Sequence, residues 1–290
     1  MQTFDVGIRA FKAFRRELGA PDVHARASVR EVLRFIAYLS RNRKAASTIS
    51  AYVNAVANYH KMNDWENPCE AFKVKRALKG AARDNTCPDS RAPITPVILA
   101  QLINALPRIC QSKYEVSLFR AIFLIAFFGL FRIGELVCPS KTEYARSVVR
   151  INDVQHKKNT LRITLRFSKT DQTGKTSVIT MKGSEGHKLC PVRALCLYAK
   201  QRGRVPGPLF VHNDNSFVSI FQFNAVLKSV LNLALPGCNS IKSHSFRIGG
   251  ATNAIAKGIP YEDVQNMGRW RSHAARKYIR VQEIDVARLV

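Results

Sequence analysis

The sequence predicts an α+β protein that is mainly helical and carries one small antiparallel β-sheet. Apolar residues recur at helical spacing along most of the 290 residues. Clear strand signals, which are runs rich in Val, Ile, Leu and Thr, are confined to positions 148–181. A polar, turn-rich stretch at 84–93 is typical of a linker. It predicts two domains, a helical one at 1–83 and a larger one at 94–290.

The first domain is predicted to contain four helices. The apolar stripe of the first helix consists of Phe4, Ile8, Phe11 and Leu18. Ser28 and Glu31 form a capping box for the second helix. The third helix is expected to start at Ser47 or Thr48, and Pro68 suits the start of the fourth. The inward residues of the fourth helix are expected to be Phe72, Val74 and Leu78.

The second domain is predicted to begin with a helix that Thr95 caps and Pro96 starts. A long apolar helix follows at 116–130. The three strands are expected at 148–154, 160–167 and 177–181. Lys158-Asn159 should turn the first strand pair, and a turn at 171–174 should connect the second pair.

Four helices are predicted in the last hundred residues. A helix at 189–202 has Pro191 near its start. The later helices are expected at 219–235, 243–258 and 260–267. Ser219 and Ser243 are good N-caps for the first two of these, and Pro260 suits the start of the last one.

The charge of the chain points to a polyanionic partner. Lys plus Arg number 46 against 20 Asp plus Glu, a formal charge of +26. Such an excess repels itself unless a polyanion balances it, and nucleic acid is the first candidate. A membrane surface is the weaker alternative because the basic residues are spread along the chain. The apolar run 121–131 is too short to span a bilayer.

The cysteines favour a reducing compartment. The seven cysteines are scattered, and none forms a C-x-x-C pair. This pattern suggests neither a metal site nor a disulfide framework. An intracellular protein is therefore expected.

Four residues near the C-terminal end form a candidate site. His244 and Arg247 stand three positions apart and so share a helical face. If Ser243 is the N-cap, both fall in the first turn, where backbone N–H groups are also free. Trp270 and Tyr278 follow. An imidazole, a guanidinium, helix-start amides, an indole N–H and a phenol together suit a phosphate better than a carbonyl or a metal.

These residues resemble the C-terminal catalytic block of the tyrosine recombinases, the family of the phage integrases, the Xer proteins and Cre. His244 and Arg247 match the family's H-x-x-R motif. Trp270 matches its His-or-Trp position, and Tyr278 matches its nucleophile. The segments HSFRIGGAT, GRW and YIR are most similar to recombinases of eukaryotic mobile elements of the Crypton and DIRS type. The interval from Trp270 to Tyr278 is one residue shorter than in the bacterial enzymes.

The resemblance extends to two further parts of the sequence. Arg132, Glu135 and Leu136 match the family's first box, R-x-x-E-L. This implies that Arg132 clamps the scissile phosphate and that Glu135 either orients Arg132 or braces the active site. The family's catalytic lysine implies Lys169, at the hairpin between the second and third strands, with Lys175 as the second choice.

The reaction that the resemblance implies is DNA strand exchange. Tyr278 attacks a backbone phosphate and forms a 3′-phosphotyrosine, while the arginines of the two boxes and Trp270 stabilise the charge on phosphorus. His244 assists proton movement, and Lys169 protonates the leaving 5′-oxygen. The ester stores the bond energy, so ATP and other cofactors are not implied. The sequence shows no Asp/Glu cluster for a metal ion.

The first domain resembles the family's core-binding domain, which clamps the far side of the duplex. Arg41, Arg43 and Lys44, between the second and third helices, are therefore candidate DNA-binding residues. The implied partner is double-stranded DNA, held by a homotetramer across two sites. Neither a membrane nor a small-molecule substrate is expected, and the nucleus is the expected compartment.

Two alternative functions use the same residues. A type IB topoisomerase-like enzyme would share the phosphotyrosine chemistry but would relax DNA without joining two sites. A domesticated DNA-binding protein would bind without cutting. Against the second alternative, all six expected positions hold competent residues, whereas a retired enzyme would be free to lose them.

Overall fold

The computed structural model describes residues 2–19, 24–84, 90–167, 176–184, 186–270, 275–276 and 278–279. The chain divides into two compact units, Met1–Asp89 and Ser90–Val290. The division falls within the stretch 84–93. Within the described ranges, no helix is both long enough and apolar enough to cross a membrane.

The first unit is a four-helix domain. Its helices are α1 (Gln2–Glu17), α2 (Val29–Arg41), α3 (Ala46–Met62) and α4 (Phe72–Asp84). Its core includes Phe11, Phe14 and Phe35, whose rings contact one another. The predicted capping box is confirmed. Ser28 Oγ accepts from the Glu31 N–H at 3.2 Å, and the Glu31 carboxylate accepts from the Ser28 N–H at 2.8 Å.

Several local predictions for this unit are wrong. Helix α3 starts at Ala46 without a side-chain cap. Pro68 starts only a 3₁₀ turn, because Ala71 has an extended backbone (φ −56°, ψ 137°) that separates this turn from α4. Leu18 lies beyond the end of α1 and is exposed, while Phe14 takes its place in the core. Phe72 is 76% exposed, since it lies on the face of α4 opposite Val74 and Ala81.

The second unit is built around one buried helix. Its helices are α5 (Pro96–Ile109), α6 (Lys113–Phe128), α7 (Ile133–Leu136), α8 (Pro191–Arg202), α9 (Ile220–Ala234), α10 (Ser245–Ala256) and α11 (Tyr261–Met267). Every residue of 121–127 in α6 is fully buried. Helices α5, α8 and α10 pack against α6. The predicted caps at Thr95 and Ser219 and the Pro191 start are confirmed.

The sheet is small and antiparallel, with strand order β1 (Val154–Lys157), β2 (Thr160–Leu165) and β3 (Ser177–Lys182). The predicted turn at Lys158-Asn159 is confirmed. Both residues have positive φ (44° and 57°), as the tight turns favoured in β-hairpins require. The second predicted turn, at 171–174, lies outside the described residues.

The first predicted strand, 148–154, is wrong by nearly its whole length. Val148 and Val149 are buried, but their backbone does not join the sheet. The Val149 N–H donates to the Glu135 carbonyl at 2.9 Å, and the Val149 carbonyl accepts from the Leu209 N–H at 2.8 Å. The β-branched run therefore serves core packing around α7.

Two glycines let α10 approach the rest of this unit closely. A Cβ atom at Gly249 would overlap the carbonyl oxygen of Ile94, and one at Gly250 would overlap the carbonyl oxygen of Phe127. The Ile94 N–H also donates to the Ser245 carbonyl at 3.2 Å. Backbone-to-backbone packing thus fixes the start of α10 against the end of α6.

This packing makes Gly249→Ala strongly destabilising. The new methyl meets backbone, which cannot rotate away, so we expect a loss of unfolding free energy of about 3 kcal/mol, at the upper end for overpacked sites. Urea denaturation measures it. Gly134→Ala is the matched control, because its Cβ would lie 4.0 Å from Ile220 Cδ1, an ordinary contact. Equal midpoints for the two variants would contradict the close packing.

Candidate active site

The site is built on the turn that ends α6. Leu130 has a left-handed backbone (φ 49°), which follows Gly129 and turns its carbonyl oxygen toward α10. Arg247, on the first turn of α10, is fully buried. Its Nη1 donates to the Leu130 carbonyl and its Nη2 to the Gly268 carbonyl. Arg247 therefore ties together the segments after α6 and after α11.

Arg247 is held in an aromatic and cationic environment. Its guanidinium carbon lies 4.4 Å from the ring centroid of Trp270 and 5.7 Å from that of Tyr278. Burial, with the nearby positive charges of Arg269 and Arg132, lowers the pKa of Arg247 to about 9. An anion bound here would stabilise the charged guanidinium against burial and against the repulsion of the neighbouring arginines.

Arg132 and Glu135 form the predicted pair. Arg132 precedes α7, and its backbone N–H donates to Glu135 Oε2 at 2.9 Å. Its side-chain Nη1 donates to Glu135 Oε1 at 3.0 Å. The Arg132 side chain is 20% exposed, whereas that of Glu135 is 4% exposed. The carboxylate is thus inside the protein, and the guanidinium extends from it to the surface.

Arg269 is a residue that the sequence reasoning missed. Its Nη2 donates to Glu135 Oε2 and to the Leu130 carbonyl, each at 3.1 Å. Its guanidinium carbon lies 5.0 Å from the Phe131 ring centroid. Arg269 lies in a turn with positive φ (58°) after α11, where helical periodicity carries no information. The only available signal was its position inside the GRW segment.

His244, Trp270 and Tyr278 form a cluster of rings. The Tyr278 centroid lies 4.9 Å from that of Trp270 and 5.1 Å from that of His244. Trp270 is 7% exposed, and its Nε1 has no hydrogen-bond partner among the described residues. The Tyr278 carbonyl accepts from Thr252 Oγ1 of α10 at 3.3 Å. The structure therefore brings Tyr278 beside the other predicted residues of the same chain.

One prediction about the site is wrong, and another falls outside the described residues. Helix α10 begins at Ser245 with His244 as its N-cap residue, one position later than predicted, and Ser243 is not the cap. Arg247 nevertheless remains in the first turn. Lys169 and Lys175 lie within 168–175, outside the described residues, so their roles stay predictions.

The site carries more positive than negative charge. Three guanidiniums, those of Arg132, Arg247 and Arg269, lie around one carboxylate, that of Glu135. The formal sum is three positive charges and one negative charge. Guanidinium groups match the geometry of phosphate oxygens. The net positive charge favours a phosphodiester anion at this site, and Arg132 is the most exposed of the three guanidiniums.

The predicted DNA-binding loop of the first unit is exposed. Arg41, Arg43 and Lys44 all lie at the surface, and Arg43 has positive φ (52°) in the turn after α2. Helix α4 carries a second basic surface that the sequence reasoning missed. We call its outward-facing residues the α4 cationic stripe: Arg76, Lys79 and Arg83.

The α4 cationic stripe is unfavourable for an isolated helix. Lys73 and Lys75 add two more exposed cations, and Asp84 at the end is the only acid of α4. Like charges three and four positions apart repel one another. A polyanion bound along the stripe would remove this repulsion.

Comparisons with known proteins show likeness in structure alone. No protein-family model and no curated protein matches the sequence. The Tn1549 transposon integrase, solved with circular intermediate DNA, matches with a TM-score of 0.59 and 16% identity over 99% of this chain and 97% of that chain. The XerH site-specific recombinase, in a post-cleavage complex with a palindromic difH substrate, matches with a TM-score of 0.66 and 13% identity over 99% and 78%.

The lambda integrase dimer bound to a COC′ core site gives a third match. Its TM-score is 0.59 at 14% identity, over 89% of this chain and 67% of that chain. The agreement in fold thus spans nearly the whole chain although few residues are identical. The mainly helical chain with its three-stranded antiparallel sheet therefore has the fold of the tyrosine recombinases and integrases.

Proposed function

We propose that this protein is a DNA strand-exchange enzyme that cuts and rejoins DNA through a 3′-phosphotyrosine. One observation carries the proposal. The Arg247 guanidinium lies against the rings of Trp270 and Tyr278, and Arg132 and Arg269, which share the Glu135 carboxylate, lie close enough to lower the pKa of Arg247 further. An anion site next to a phenol has the groups that transfer of a phosphoryl group to tyrosine requires.

In the proposed reaction, the Tyr278 oxygen forms a bond to phosphorus while the bond from phosphorus to the 5′-oxygen breaks. Arg132 and Arg247 stabilise the negative charge that develops on the non-bridging oxygens. The Trp270 Nε1–H is buried without a hydrogen-bond partner among the described residues, and we propose that it becomes a further donor once DNA is bound. His244 assists removal of the Tyr278 proton, and Lys169 supplies a proton to the 5′-oxygen. Attack by a 5′-hydroxyl reverses these steps and releases Tyr278.

Duplex DNA is the proposed partner of both units. The formal charge of +26 and the α4 cationic stripe support this choice. The Tn1549, XerH and lambda proteins, which share the fold, were solved in complexes with DNA. We also propose a homotetramer across two DNA sites, a mobile-element origin and a nuclear location. The tetramer rests on the resemblance to the tyrosine recombinases, and the other two proposals rest on the resemblance to the Crypton and DIRS-type enzymes.

Removing the α4 cationic stripe should weaken the salt dependence of DNA binding. Each lost phosphate contact reduces the slope of log K against log salt by about 0.9, so the triple alanine variant should lose nearly 3. Fluorescence anisotropy with a labelled duplex over a salt series measures the slope. The matched variant replaces Arg41, Arg43 and Lys44, which removes the same charge. An unchanged slope in the α4 variant would mean that the α4 cationic stripe does not contact phosphates. The slope of the loop variant tests the predicted phosphate contacts of the loop in the same way.

Trapping a covalent intermediate tests the proposed function. Purified protein is incubated with a pool of nicked duplexes of randomised sequence, in which the small fragment left by cleavage diffuses away and rejoining cannot occur. EDTA is present because the proposed chemistry draws its positive charge from arginines. We expect protein–DNA adducts that survive denaturation, with Tyr278 as the linked residue. Protein that forms no adduct with any member of the pool would overturn the proposal.

The enriched sequences then separate recombination from relaxation. Two copies of the site on one supercoiled plasmid should give recombinant products. Relaxed circles without recombinants would instead support the type IB topoisomerase-like alternative. Tight binding without adducts would support the non-cutting DNA-binding protein.

A further inference from the structure

We propose that Arg269 is a positioning residue that neutralises Glu135, so that Arg132 keeps its positive charge for the scissile phosphate. This inference rests on the proposed function and adds a residue to its machinery. It follows from how the four charged side chains of the site share their partners.

Arg269 is bonded to the protein rather than open to a ligand. Its Nη1 donates to the Met267 carbonyl at 3.1 Å and to the Gly129 carbonyl at 3.3 Å. Its Nη2 donates to the Leu130 carbonyl and the Glu135 carboxylate. Its side chain is 8% exposed, against 20% for Arg132. Of these two arginines, Arg132 is the one placed to reach DNA, whereas Arg269 holds neighbouring segments of the protein together.

The number of guanidiniums that bind Glu135 determines the net charge around Arg132. Glu135 Oε1 accepts from Arg132, and Oε2 accepts from Arg269 as well as from the Arg132 backbone N–H. Without Arg269, one carboxylate would face one guanidinium at 3.0 Å, and the pair would be formally neutral. With Arg269 present, the group of three carries one net positive charge. A buried carboxylate in a region of low dielectric acts strongly on its neighbours.

Arg269 also connects the two arginines whose positive charges stabilise the phosphate in the proposed reaction. It shares the Glu135 carboxylate with Arg132 and the Leu130 carbonyl with Arg247. Because it also bonds to Met267, it fixes the turn that leads to Trp270. A single side chain thus sets the distance between three groups of the site.

The test is a charge-restoration experiment on the enriched duplex, measured as single-turnover formation of the covalent adduct. Arg269→Gln should slow cleavage about 10²-fold, since a site that loses one preorganised charge typically loses that much. Arg269→Lys keeps the charge without the planar fork and should fall between Arg269→Gln and wild type. The double variant Arg269→Gln with Glu135→Gln removes one charge of each sign. It restores the net charge around Arg132 and should recover most of the lost rate.

The matched control is Arg202→Gln in α8. Arg202 is also buried, and it donates to the carbonyls of Leu209, Val205 and Pro208. These carbonyls belong to the segment that follows α8 rather than to the candidate active site. The Arg202 variant should lose stability in urea without a specific loss of cleavage rate at temperatures where it is folded.

The outcomes separate this inference from the proposed function. Wild-type protein that forms no adduct overturns both. Wild-type protein that cleaves while Arg269→Gln cleaves equally fast overturns the role of Arg269 alone. A double variant no faster than Arg269→Gln shows that Arg269 supports the local structure rather than the charge balance, and it also overturns the inference. Recovery in the double variant supports it when both variants are fully folded at the temperature of the assay, because the gain in rate then reflects the charge around Arg132 and not the removal of an uncompensated buried carboxylate from an unstable protein.

Discussion

Tyr278→Phe is expected to abolish the covalent protein–DNA adduct while DNA affinity stays close to that of the wild type. The substitution removes one hydroxyl oxygen, the atom that would bond to phosphorus. The ring contacts with Trp270 and His244 persist, since Phe keeps the same ring. Affinity depends mostly on phosphate contacts along the duplex, and a single phenol contributes little to them. Denaturing gels measure adducts, and fluorescence anisotropy measures affinity.

Tyr261→Phe is the matched control for this experiment. Tyr261 packs in the same small apolar cluster as Tyr278, together with Val264 and Trp270. Its hydroxyl is buried, has no hydrogen-bond partner among the described residues and has no role in the proposed reaction. The control should form adducts at the wild-type rate. Adducts that persist in Tyr278→Phe would mean that the nucleophile is another residue.

Arg247→Gln is expected to have the second largest effect on cleavage. Arg247 carries a fixed positive charge inside the protein, and removal of one such preorganised group costs about 3–4 kcal/mol in the transition state. That cost corresponds to a loss of about 10²–10³-fold in single-turnover rate. Arg247→Lys should recover little of it, because the ammonium group cannot bond to both the Leu130 and Gly268 carbonyls in the same plane. A Lys variant as fast as the wild type would contradict a role for the guanidinium shape.

The lowered pKa of Arg247 predicts that the effect of Arg247→Gln on stability depends on pH. Burial and the neighbouring arginines bring the pKa to about 9 in the folded protein, below the value of an unfolded arginine. The unfolded state therefore binds the Arg247 proton more tightly than the folded state does. As a result, the contribution of Arg247 to the unfolding free energy increases as the pH rises above the pKa of the folded state. The difference in unfolding free energy between wild type and Arg247→Gln should thus grow above about pH 9. Urea titrations at increasing pH measure it, and a constant difference would contradict the shift.

The sequence by itself determined the local features of this protein. The caps at Ser28, Thr95 and Ser219 depend only on side chains within one turn of the backbone that they bond to, and all three form as predicted. The Arg132–Glu135 pair spans three positions and is equally local. The types and order of the motif residues along the chain predict a phosphate site.

Other local signals were overridden by contacts between distant parts of the chain. The β-branched run at 148–154 has the composition of a strand, yet α7 and the segment at Leu209 occupy its backbone hydrogen bonds. Leu18 and Phe72 are different cases, because α1 ends before Leu18, and helical spacing places Phe72 on the face opposite Val74. The competing partners of the β-branched run are many residues away, so composition and spacing within a short window do not contain them.

The tertiary structure alone decided how the charges of the site are shared. Arg269 is 134 positions from Glu135 in the sequence, and no periodicity connects them. Their contact exists because Gly249 and Gly250 let α10 approach the end of α6, which brings the turns around Leu130 and Gly268 to the same guanidinium of Arg247. Electrostatic balance depends on distances between groups in space, and those distances are fixed only once the backbone segments pack.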